Sequence, residues 1–96
     1  MSRYLMYSML SRVELENALI DLVLSSGLRS ELRRAWLCMP GADEPTEQSL
    51  RWAVLGILER YVDGESESCV NAVLEADVIR VVAPEDLTRL RDFRRD

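Results

Sequence analysis

The sequence predicts an all-α fold, a compact bundle of four to five short helices in a single helical domain over residues 1–96. Three observations predict it. Apolar residues recur at helical spacing along most of the chain. Gly27, the PGADEP segment at 40–45 and DGESES at 63–68 cut that pattern into helix-length pieces. Only VIRVV, residues 78–82, favours extended backbone, and no second strand lies near enough in sequence to pair with it. Apolar residues make up 48% of the chain. A domain of this length buries roughly 60–65% of its unfolded surface, so a core is available without disulfides or metal.

The first helix has two candidate starts. No breaker precedes Gly27, so it could begin at Ser2; Ser11 and Glu14 also form a capping-box pattern that would start it at Arg12. Gly27 is its natural stop. At 100° per residue, Leu5, Met6, Met9, Leu10, Val13, Ile20, Val23 and Leu24 cover one broad side. Leu15, Leu19 and Leu22 widen it, leaving Arg3, Glu14 and Asp21 as the polar strip. Such a helix is either central in a bundle or partly buried against another chain.

A second helix over about 28–39 places Leu28, Leu32, Ala35, Trp36 and Met39 on one stripe, ended by Pro40 and Gly41. The third is expected to be capped by Asp43 or Glu44 with Pro45 first. Its stripe is Leu50, Val54, Ile57, Leu58, Tyr61 and Val62, with Gly64 as the stop; Trp52 falls outside that stripe. Ser66 or Ser68 could cap a fourth helix through Cys69, Val73 and Ala76, after which 78–82 is expected to be helical or irregular and extended. Ala83-Pro84-Glu85-Asp86 opens the last helix, with Leu87, Leu90 and Phe93 inward.

All twelve basic residues are Arg, with no Lys and no His, which reads as coding bias in a GC-rich bacterial or phage genome. That absence removes the imidazole of a Ser or Cys triad, the Schiff-base or P-loop lysine, and every His metal ligand. Carboxylates cluster at Asp43, Glu44 and Glu47 and again at Asp63, Glu65 and Glu67, in polar loop-like sequence where they should be solvated. The second cluster resembles a calcium loop only faintly, since Ser68 and Leu74 stand where such a loop needs Gly and Glu. Cys38 and Cys69 lack CxxC spacing and are expected as small buried thiols in a cytoplasmic chain. No enzyme class, metal or cofactor is therefore expected.

The remaining candidates are surfaces. Residues 41–86 carry three Arg against eleven acids, a net of −8, between ends of +1 and +2. Such a belt, with Asp63, Glu65 and Glu67 in it, suits a partner with a basic surface. Tyr4, Met6, Tyr7, Met9 and Leu10 form an adaptable amphipathic set of the kind found at interfaces. Trp52 is a second candidate anchor, because Trp is a frequent hot spot; its alternative is packing beneath the 63–68 loop.

The expected function is a non-catalytic protein–protein interaction module, a small regulatory or inhibitory accessory protein acting by surface occlusion. A phage-encoded inhibitor of a host complex and an immunity or adaptor protein both fit that description. A homodimer or membership of a larger assembly is expected, with no membrane span. The alternative is a small helical DNA-binding regulator using Arg29, Arg33 and Arg34 or the C-terminal arginines, against which the net charge of −5 counts.

Overall fold

Ser11 opens the first helix in the way its sequence predicts. Its hydroxyl accepts the Glu14 amide while the Glu14 carboxylate accepts the Ser11 amide, a reciprocal capping box. The structure, a computed structural model, describes residues 10–64 and 72–95. Among them lie five helices and no strand: α1 (Arg12–Leu24), α2 (Arg29–Leu37), α3 (Glu47–Val62), α4 (Ala72–Val81) and α5 (Pro84–Arg95). An earlier start of the first helix, at Ser2, lies outside the described residues.

Beyond α1, Gly27 turns the chain at φ 92°, a conformation Cβ-bearing residues rarely adopt. α3 is capped by Thr46, not by Asp43 or Glu44. The Thr46 hydroxyl accepts the Ser49 amide and the Ser49 hydroxyl accepts the Thr46 amide, so Pro45 stands before the helix rather than in its first turn. Asp63 and Gly64 end α3, with Gly64 at φ 77°.

α3 is the central element, packing against each of the other four helices. Its buried residues are those of the expected stripe, except that Tyr61 is 45% exposed and Ser49 is buried in its place. α1 presents Leu15, Leu19, Ile20, Val23 and Leu24 to the core. The broad apolar face expected there was placed too far round, because Val13 is 63% exposed while Leu15 and Leu19 are fully buried. α4 settles the ambiguous 78–82 run as helix through Val81. Val78 and Val82 bury their branched side chains in the core, and tertiary packing overrides β preference. The apolar side of α4 therefore follows Leu74 and Val78; Val73 is 77% exposed and Ala76 is also outside. α5 begins at Pro84 and turns Leu87 and Leu90 inward as expected.

α2 is attached differently. Leu32 is its one buried residue, its N-cap residue Leu28 supplies no side-chain bond, and its arginines reach the first residue of α3 and the segment before it. Arg29 donates two parallel hydrogen bonds to the Glu47 carboxylate at 2.7 and 2.8 Å, and Arg33 pairs with Glu44. Trp36 Nε1 donates to the Asp43 carbonyl at 2.8 Å. A small apolar contact and a polar clasp hold this helix.

Candidate protein-contact cleft

Because α2 buries so little of its stripe, a recess opens where α2, α3 and α4 meet. Ala35, Trp36 and Met39 line it from α2, Trp52, Ala53, Gly56 and Arg60 from α3 and Leu74 from α4, with the buried Leu32 and Ile57 completing the lining. The recess holds about 270 Å³ and is mostly apolar. Trp52 is 62% exposed and Met39 47% exposed, both on its rim. A large apolar side chain is thus left in water beside an apolar hollow. The alternative for Trp52, packing beneath the 63–68 loop, involves residues 65–68, which lie outside the described residues.

Gly56 leaves one position of this lining without a side chain. It sits mid-helix, where Gly costs up to about 1 kcal/mol relative to Ala. A Cβ added there would meet only Arg60 Nη1, at 3.5 Å, the end of a flexible side chain. No backbone approach or turn requires the missing methyl group.

Ala35 and Leu74 also line a second hollow of about 240 Å³, bounded by Glu31, Arg34 and Cys38 on α2 and by Val73 and Asp77 on α4. Cys38 is exposed here, which corrects the expectation of a buried thiol. α2 rests on the bundle through Leu32, and that leaves its Cys38 side toward solvent. Glu31 Oε2 is buried without a hydrogen bond among the described residues, and the exposed Arg34 forms no ion pair among them.

The acidic belt is less bare than a linear count implies. Glu44 and Glu47 are matched by Arg33 and Arg29, which lie before the belt in sequence but beside it in space. Arg60 donates to Glu75 at 3.0 and 3.2 Å, and Arg80 pairs with Asp77. Asp63 is exposed at the C-terminal end of α3, while Glu65 and Glu67 lie outside the described residues. The Glu47 carboxyl is held below the usual glutamate range by the hydrogen bonds from Arg29, opposite to the upward shift a general acid needs. Among the described residues, no group of three or more Cys, Asp or Glu is arranged to hold a metal ion. No described helix is long and apolar enough to cross a membrane.

Of the other expected contact residues, Tyr4, Met6, Tyr7 and Met9 lie outside the described residues. Leu10 is half-buried against the core, and its carbonyl accepts Arg89 Nη2 at 3.4 Å. The arginines considered for nucleic acid are dispersed: Arg29 and Arg33 serve the α2 clasp, and Arg89 lies half-buried over the Phe93 ring at 5.2 Å. Sequence reasoning found Trp52 but missed the recess beside it, since Trp36 and Met39 read as core positions of a stripe. Gly56 within a helical pattern was the available signal, because an unforced glycine there invites a packing or binding explanation.

No protein-family model matches this chain, and no curated protein or solved structure does either.

Proposed function

We propose that this chain is a non-catalytic protein-binding module, a small regulatory or inhibitory accessory protein, and that the cleft between α2 and α3 is its contact surface. The supporting observation is Trp52, 62% exposed beside an apolar recess to whose lining Gly56 contributes no side chain. Small binding modules concentrate affinity in a few aromatic anchors and the pockets that receive them. The exposed Asp43, whose carbonyl holds Trp36 at the cleft, would help steer a basic region of a partner toward it. Binding there would act by covering the partner's surface.

Capture from the source cell with wild type and with Trp52→Ala tests this reading. A protein, or further copies of the chain, retained by wild type and lost by the variant is the expected result. Trp52 is largely exposed, so the helical circular dichroism of the variant should be unchanged. Equal retention by the two forms, or binding to duplex DNA in low salt that Trp52→Ala leaves intact, would overturn the proposal.

A further inference from the structure

We infer that the occupant of the cleft is a second copy of this chain, paired about a twofold axis so that Trp52 of each copy seats in the recess of the other. The inference rests on reading the cleft as a protein-contact surface and adds the identity of what fills it.

A twofold interface is self-complementary, so one face must carry both a projection and the recess that receives it. This face carries both. Trp52 projects from α3, and the recess beside it, with Ala53 and Gly56 in its lining, holds about 270 Å³. That is smaller than the roughly 300–1,000 Å³ of sites that enclose small ligands, and suits one large side chain. An indole is the apolar group with the largest area to bury there.

The charges beside the recess point the same way. The second hollow holds Glu31, with an oxygen buried and unbonded among the described residues, and Arg34, which forms no ion pair among them; Asp77 beside them is already matched by Arg80. A foreign basic segment would answer Glu31 and leave Arg34 opposed; a foreign acidic segment would do the reverse. A second copy brings both signs, so the twofold axis can set each Arg34 against Glu31 of the other copy. Arg60 is already matched by Glu75, so the lining of the recess presents no unbalanced charge to its own image. The net charge of −5 opposes association only weakly, because separations beyond about 8 Å are screened at physiological salt.

Sedimentation velocity on the full chain tests the inference, with Trp52→Glu and Gly56→Met beside wild type. Wild type should be a dimer at about 100 μM and dissociate on dilution. Trp52→Glu removes the projection, whereas Gly56→Met fills the recess and removes no contact. Met is a better helix former than Gly, so that variant should fold at least as well. Both should dimerise at least about tenfold more weakly, with unchanged helical content. A wild type that stays monomeric at about 100 μM, or a dimer indifferent to both substitutions, would overturn the inference. If wild type is monomeric but captures a different protein through Trp52, the second copy is excluded and the cleft remains a contact surface.

Discussion

Glu14 and Glu47 lie in the first turns of two different helices and are shifted in the same direction for different reasons. The Ser11 amide, and then its hydroxyl, hold Glu14 below the ordinary value of 4.5. The Arg29 guanidinium holds Glu47 below it in the same way. Both folded pKa values are depressed, so their contribution is fully present above the unfolded value and disappears as pH falls through the lowered ones. Thermal midpoints followed below pH 4.5 should therefore fall more steeply for wild type than for Glu14→Gln or Glu47→Gln. Parallel curves would remove these two carboxylates from the acid response. Two glycines make opposite demands. Gly27 has φ 92°, so Gly27→Ala should destabilise by about 1 kcal/mol although the space around it is open. Gly56 has ordinary helical geometry and room for a Cβ, so Gly56→Ala should stabilise by up to about 1 kcal/mol. Urea midpoints measure both, and a destabilised Gly56→Ala would show that the fold itself requires that glycine.

The helices differ in how firmly they are held, and the difference follows from what each buries. α3 touches all the others and has a full side-chain cap, whereas α2 buries Leu32 alone and lacks a side-chain cap. Amide exchange in α2 should accordingly be faster than in α3, through local opening that leaves the rest folded. Equal protection would mean that α2 opens only with the whole molecule. Within α1, Leu19→Ala should cost about 2–5 kcal/mol, while Val13→Ser should stay within about 0.5 kcal/mol. Here sequence and structure part in an instructive way. Ser11–Glu14, Gly27, Gly64 and Pro84 were legible because caps and breakers act through local chemistry that neighbouring residues specify. The facing of α1, the Thr46 cap and the helical 78–82 run were not. For α1, so many apolar residues surround the axis that its pattern does not single out one face. For Val78 and Val82, the fold supplies burial that local propensity does not contain.

For the molecule as a whole, the visible asymmetry is between a closed core around α3 and an unfilled meeting point of α2, α3 and α4. The exposure of Trp52 was legible because it falls off its helix's stripe. The recess was not, because which part of the α2 stripe stays open depends on how α2 lies against α3 and α4, which its own sequence does not specify. The linear charge count also changed meaning once folded, since Arg29 and Arg33 come to lie against Glu47 and Glu44. What remains at the recess is apolar surface and a mixed-sign hollow, features that suit contact with protein. Both tryptophans of the chain line that recess, so emission excited selectively at tryptophan reports on this surface. The most direct measurement is the emission maximum of wild type diluted from about 100 to about 1 μM, with Gly56→Met alongside. The expected result is a move to longer wavelength on dilution, as Trp52 returns to water, and a long-wavelength spectrum at every concentration for Gly56→Met. A maximum that is constant on dilution and equally long in both proteins would contradict burial of Trp52 against a second copy.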